Sequence, residues 1–145
     1  LVGHGASGFC LGPKATDDDR RQVEQMLGAV GIAVEVDEPL LDAVTGLSGS
    51  GPAFVYSMIE ALADGGARMG LPEDVAARLA AQTVRGAAEM VAVGGEKPAV
   101  LRDRVASPGG TTVAGLAALE SAGFRATVAG AVEAATRRSI ELGTN

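Results

Sequence analysis

Residues 105–113 read Val-Ala-Ser-Pro-Gly-Gly-Thr-Thr-Val, and here residue type and spacing first suggest chemistry. Pro108 disfavours helical geometry at Ser107, so the preceding apolar run ends there. Gly109 and Gly110 permit positive φ and leave bare backbone that a ligand can approach. Thr111 and Thr112 open a new helical pattern, where backbone N–H groups have no internal acceptor. Such a terminus suits a carboxylate or phosphate, and a threonine hydroxyl beside it adds a further donor or acceptor. No His, Lys, Asp or Glu stands in the stretch to act as general acid or base. On spacing alone two readings stand: a cradle for a small anion, or a Pro-Gly turn followed by a threonine-capped helix.

A second Gly-rich entry into a helix runs Leu47-Ser48-Gly49-Ser50-Gly51-Pro52-Ala53. It lacks the Gly-Lys-Ser/Thr ending of a phosphate loop and does not follow a strand as a dinucleotide fingerprint must. It reads either as a flexible joint with Ser50 near an N-cap, or as a ligand-facing segment.

The elements that must position these stretches fall into two parts. Residues 1–36 have an α/β pattern. A short apolar run, Gly8-Phe9-Cys10-Leu11, predicts a strand. Thr16 followed by Asp17-Asp18-Asp19 predicts a capped helix whose stripe is Val23, Met26, Leu27 and Val30, with Gly31 ending it. Ile32–Val36 predicts a second strand. Two strands and one helix cannot bury a sheet alone, so the rest of that sheet is expected elsewhere.

From Asp37 onward only helices are expected. The first runs from about Pro39 to Leu47. The second opens at Pro52 and ends at Gly70, with Phe54 or Val55, Met58, Ile59, Leu62 and Met69 inward. The third starts at Pro72-Glu73-Asp74 and stops at Gly94-Gly95. Its stripe is Val75, Leu79, Thr83, Met90 and Val91, with Ala76, Ala80 and Ala87 interleaved. Pro98 to Val105, Thr111 or Thr112 to Ser121, and Phe124 to Leu142 complete the set. The last should turn Val128, Val132, Ala135 and Ile140 inward. Long helices rich in alanine and poor in bulky residues suggest completion by a second copy; a self-sufficient bundle is the alternative.

Composition sets the outer limits. Of 145 residues 47% are hydrophobic and 21% charged, so a packed core is expected rather than disorder. Aromatic content of 3% leaves that core to small side chains. A formal net charge of −6 offers no basic stripe for nucleic acid. One cysteine and one histidine supply neither an internal disulfide nor a metal cluster. No apolar run approaches the roughly 18 residues that span a bilayer. No membrane partner and a cytoplasmic setting are therefore expected. The chain opens on Leu-Val-Gly without Met and reads as a fragment.

The stretch from Pro98-Ala-Val-Leu101 through Val105-Ala-Ser-Pro-Gly-Gly-Thr-Thr112 to Gly115-Leu116 and Leu119-Glu120 resembles the signature of pyrroline-5-carboxylate reductases. Asp42–Ala53 is similar to that family's entry into its helical domain. Glu60–Gly66, Gly70-Leu71-Pro72 and Gly123-Phe124-Arg125 match as well. The resemblance covers essentially the whole chain. It implies a mainly α fold, a helical bundle of the 6-phosphogluconate-dehydrogenase C-terminal type. A short α/β remnant of a Rossmann domain precedes it. Residues 1–36 would be the terminal strand-helix-strand of a dinucleotide-binding domain, whose glycine-rich first loop lies upstream. Residues 37–145 would be the helical dimerisation and substrate-binding domain.

The activity implied is NADPH- or NADH-dependent reduction of 1-pyrroline-5-carboxylate to proline, with the fragment alone inactive. Thr112 matches the family threonine that hydrogen-bonds the ring nitrogen and is the candidate catalytic residue. Ser107, Gly109, Gly110, Thr111 and Thr112 form the candidate substrate site. Ser107 and the N–H groups of Gly110 and Thr111 would hold the carboxylate. Ser48, Gly49 and Ser50 are candidate cofactor contacts, and no metal is expected. The implied assembly is a homodimer or a higher oligomer built from it. Hydroxyacid dehydrogenases share the layout, but use a lysine one turn into the helix that here reads Pro52–Glu60 without one. A non-catalytic dimerisation module is the third reading.

Overall fold

The computed structural model describes residues 2–144. The chain is mainly helical, with one two-stranded parallel sheet. Packing divides it into two units: the described residues up to Pro52 together with Val128 onward, and Ala53–Thr127. No helix among the described residues is long and apolar enough to cross a membrane.

In the first unit, β1 (Gly5–Phe9) pairs with β2 (Gly31–Glu35), in register from Gly5↔Gly31 to Phe9↔Glu35. The strand expected at 8–11 therefore lies earlier, and Cys10 and Leu11 fall outside it. The reason is steric. The two chains meet so closely at Gly5 and Gly31 that a Cβ on Gly31 would stand 2.0 Å from the Gly5 carbonyl oxygen. Small residues carry the pairing, whereas the bulkier run beyond Phe9 leads into Gly12-Pro13.

Helix α1 (Asp17–Gly28) links the strands. Its capping box is complete: Asp19 N–H donates to Thr16 Oγ1 at 3.3 Å, and Thr16 N–H donates to Asp19 Oδ2 at 2.8 Å. The Thr16 N–H and, at 2.7 Å, the Thr16 hydroxyl both donate to the Asp19 carboxylate and hold it below its ordinary pKa. Val23 and Leu27 are half-buried, whereas Met26 and Val30 stay exposed. The helix ends at Gly28 on a right-handed Ala29 cap, not at Gly31, because the Ala29 and Val30 N–H groups already close the last turn. Arg20 of α1 reaches Glu35 of β2, Nε to Oε2 at 2.8 Å. Phe9 shares the Glu35 face through the register and is buried there. On the opposite face Gly8 admits Val44, whose methyls lie 2.8 Å from where a Gly8 Cβ would be.

After β2 the chain is helical almost without interruption. A 3₁₀ turn (Glu38–Leu40) leads into α2 (Leu41–Val44), a π turn (Thr45–Gly49) and α3 (Gly51–Arg68). The short helix expected at 39–47 is thus joined to the next one. The flexible joint expected at 47–53 is absent: Ser50 holds a right-handed φ of −88° and ψ of −24°.

In the second unit α3 ends in a Schellman motif. Gly70 has a φ of +97°, and Leu71 N–H donates to Gly66 O. Phe54, Met58 and Ile59 are half-buried, whereas Met69 is 85% exposed. Helix α4 (Glu73–Gly94) buries Ala76 and Ala80, and leaves Leu79 55% exposed along with Thr83, Met90 and Val91. The expected bulky stripe is therefore largely outward. Helices this close need alanine at the contact: a Cβ on Gly66 would stand 3.2 Å from the Ala76 methyl. Helices α5 (Pro98–Arg104), α6 (Thr111–Ser121) and α7 (Phe124–Gly143) follow. In α7 the half-buried residues are Gly130, Ala131, Val132, Ala135, Thr136 and Ser139, while Val128 and Ile140 are exposed.

Phe9, Ala76 and Ala80 are the buried apolar side chains among the described residues. The chain exposes 10771 Å². A compact monomer of 14.4 kDa would expose about 6,800 Å², and two independent compact units of half that mass about 8,200 Å². Many large apolar side chains are part of that exposed area, among them Met69, Val93, Tyr56, Leu47 and Leu142.

Candidate functional site

Ser107–Gly110 form a tight turn in which Gly110 N–H donates to the Ser107 carbonyl at 2.9 Å. Proline in the second place and Gly109 at a φ of +71° in the third give it type II character. Gly110, extended at a φ of −77° and ψ of 166°, is the N-cap of α6 and offers no side chain to cap it. A Cβ there would lie 2.5 Å from Ser107 Oγ, so the serine hydroxyl occupies the space that the glycine vacates. Thr111 and Thr112 are the first two helical residues, and neither is the cap. The threonine-capped turn is not what forms.

The donors left over are well defined. Thr111, Thr112 and Val113 precede the first helical bond, from Ala114 N–H to Gly110 O at 3.4 Å. Their N–H groups have no acceptor in the helix and none from a side-chain cap. The Gly110 N–H, expected as a ligand donor, is instead engaged by the turn. The hydroxyls of Ser107, Thr111 and Thr112 form no hydrogen bond among the described residues, and Thr112 is half-buried. This is a concentrated, unpartnered donor set with the positive end of a helix dipole behind it. It is open to solvent at Ser107. A separate groove of about 500 Å³ runs along α6, lined by Val113, Leu116, Phe124 and Arg125 among others and by none of residues 107–112.

The second Gly-rich stretch is built differently. Ser50 N–H donates to Thr45 O at 2.8 Å, the i→i+5 bond of the π turn. Ser48 Oγ donates back to Val44 O at 3.2 Å, so that hydroxyl proton is spent inside the helix. Ser50 is half-buried with a hydroxyl that has no partner among the described residues, and Gly49 is exposed. Ser48 also borders a groove of about 300 Å³ against Gly8, Val34 and Val36 of the sheet.

A further pattern escaped the sequence reading. Gly3-His4-Gly5-Ala6-Ser7-Gly8 spells G-x-G-x-x-G. Its last four residues lie within β1, paired to β2, whereas a dinucleotide fingerprint sits in the turn between strand and helix. The helix that follows, α1, carries three aspartates in its first turn and a closed capping box. Both features disfavour a phosphate at that terminus.

Residues 38–142 match the family model described as pyrroline-5-carboxylate reductase dimerisation. The chain belongs to that family. It is 55% identical to pyrroline-5-carboxylate reductase of Arabidopsis thaliana over 141 residues, 97% of this chain and 51% of the relative. It is 52% identical to the Synechocystis enzyme over 142 residues, 98% and 53% of the two chains. A pyrroline-5-carboxylate reductase structure from Coxiella burnetii superposes with a TM-score of 0.94 at 36% identity, covering 97% of this chain and 53% of that one. The Plasmodium falciparum enzyme, solved with NADP bound, gives 0.89 at 38% identity over 98% and 54%. The chain thus spans about half the length of the relatives it matches.

The family match takes in both Gly-rich stretches and leaves β1, α1 and β2 outside. Within the dimerisation family region, the anion-type donors converge at 107–112. The stretch at 45–50 supplies one free hydroxyl, that of Ser50. Nothing in the sequence around 45–50 announces a π turn, because that turn is set by packing against α7.

Proposed function

We propose that this chain is the C-terminal part of an oxidoreductase that reduces 1-pyrroline-5-carboxylate to proline, the last step of proline biosynthesis, with NADPH or NADH as hydride donor. Residues 1–36 then close a dinucleotide-binding domain, and residues 37–145 are the helical domain that binds substrate and pairs with a second copy. The observation that carries this is the uncapped start of α6, where the N–H groups of Thr111 and Thr112 and three hydroxyls have no partner of their own.

The substrate is a small cyclic imine bearing a carboxylate. The carboxylate sits on the Thr111 and Thr112 N–H groups, with Ser107 Oγ beside them. Thr112 Oγ1 hydrogen-bonds the ring nitrogen. Gly109 supplies the left-handed turn residue, and Gly110 keeps the approach bare. Hydride arriving on a protonated imine converts a cation to a neutral amine, so no oxyanion requires stabilisation. Orientation of the ring is then the chain's main contribution. Ser50 fits a role at the cofactor, being a half-buried hydroxyl without an internal partner, with Ser48 and Gly49 as its supports.

The exposed apolar surface supports a homodimer. Sedimentation of a full-length protein carrying this chain is expected to give a dimer or larger at micromolar concentration; a stable monomer would refute the pairing. NAD(P)H oxidation with pyrroline-5-carboxylate tests the activity directly, and absence of turnover in a well-folded dimer would refute it.

A further inference from the structure

The π turn at 45–49 is locked from one side by α7. Ser139 Oγ donates to Asp42 Oδ1 at 2.6 Å, a part-buried bond between residues far apart in sequence. One turn on, Gly46 is buried, and a Cβ placed on it would lie 2.2 Å from Thr136 Oγ1 and 2.8 Å from Val132 O. Thr136 Oγ1 in turn donates to Val132 O at 2.9 Å, holding the α7 side of the contact in shape. The π turn itself is closed by Ser50 N–H on Thr45 O, and Thr45 Oγ1 and Ser48 Oγ bond back to Leu41 O and Val44 O. A π turn inserts one residue into a helix and is an uncommon conformation that persists where its surroundings over-determine it. Here two side-chain contacts and one close backbone approach do so, and all fall just before Ser50.

We propose that Asp42, through Ser139, is a positioning residue: it fixes the π turn and thereby aims the Ser50 hydroxyl at the dinucleotide. The proposal rests on the reading of Ser50 as a cofactor contact. Without the Asp42–Ser139 bond, the segment can relax toward a regular helix. Moving the insertion by one residue would rotate Ser50 about 100° around the helix axis and away from its direction. Asp42 itself touches neither cofactor nor substrate.

The test is direct titration of NADPH binding by fluorescence, without imine, on the full-length protein carrying this chain. Asp42→Ala and Ser139→Ala should each raise the NADPH Kd about five- to tenfold, the range of one lost hydrogen bond. The double variant should be no worse than either single one, because the two substitutions remove the same bond. Asp42→Asn keeps an acceptor for Ser139 and should restore Kd to within about twofold. A merely structural role would lower the melting temperature in Asp42→Ala without moving Kd in the folded fraction. Ser50→Ala separates the two claims. If it weakens NADPH binding while Asp42→Ala and Ser139→Ala bind normally, the positioning role is wrong and the cofactor reading stands. If Ser50→Ala binds NADPH like the parent protein, the cofactor reading falls and the positioning role falls with it.

Discussion

The stretches Ser107–Thr112 and Leu47–Ala53 resemble each other in sequence, each mixing glycines, hydroxyl residues and one proline ahead of a helix. They fold in opposite ways. At 107–112 the proline comes first, so the incoming helix must stop, Gly109 turns left-handed and α6 starts afresh with unpaired donors. At 47–53 the proline follows the glycines and stands second in α3, where its missing N–H does no harm, so the chain stays helical, with Gly49 ending the π turn and Gly51 opening α3. In this chain the order of proline and glycine separates the segment that starts a helix with unpaired donors from the one that stays helical throughout. The first stretch leaves donors without an internal partner. The second is held in place by its neighbours.

The largest expected effect tests the held stretch. Gly46→Ala drives a methyl into Thr136 Oγ1 and into α7 backbone that cannot yield, and should destabilise the fold by about 3 kcal/mol. Chemical denaturation of Gly46→Ala beside Gly49→Ala checks this, since the nearest neighbour to a Cβ on Gly49 is an ordinary 3.7 Å contact. Equal stability of the two variants would break the contrast between locked and open glycines.

At the open stretch the large effect should be on activity. Gly110→Val places its Cβ against Ser107 Oγ and blocks the approach to the Thr111 and Thr112 N–H groups. We expect kcat/KM for the imine to fall by about a hundredfold or more. Gly109→Ala should mainly affect stability, by about 1–2 kcal/mol, because a φ of +71° is strained for any residue with a Cβ.

How far these features were legible in the sequence depended on what caused them. The turn and helix start at 107–112 could be read because they are local: proline and glycine act within a turn, and α6 begins at Thr111, one of the two starts the pattern allowed. The π turn could not, because Gly46 is pinned by Thr136, ninety positions away in the chain. The inward faces of α4 and α7 follow the pattern only in part, for a related reason: Val75, Ala76, Ala80, Val132 and Ala135 turn inward as it predicts. The pattern also predicts Leu79 and Ile140 inward, yet this chain makes its tightest helix contacts through Ala76, Ala80 and Gly46 and leaves those two exposed. The literal G-x-G-x-x-G at 3–8 shows the converse, a pattern whose meaning depends on lying in a strand.

The smallest effects should come from α1, a helix capped by its own side chains and so the counterpart of uncapped α6. Thr16→Ala removes a complete capping box and should lower stability by about 1 kcal/mol with no change in catalysis. The same box gives a pH signature. Because Asp19 has a folded pKa below that of a free aspartate, its contribution is present above the ordinary aspartate range and is lost as pH falls through the lower folded value. Asp19→Asn should therefore shrink the loss of stability on acidification.

The most direct test of the central claim is kcat/KM measured together with melting temperature on Thr112→Ala in the full-length protein carrying this chain. The Thr112 hydroxyl caps nothing and forms no hydrogen bond within the described residues, so the melting temperature should hold. Imine reduction should fall between about fivefold and a hundredfold, according to whether an ordinary or a charge-assisted hydrogen bond is lost. Unchanged kcat/KM would contradict the substrate cradle at the start of α6.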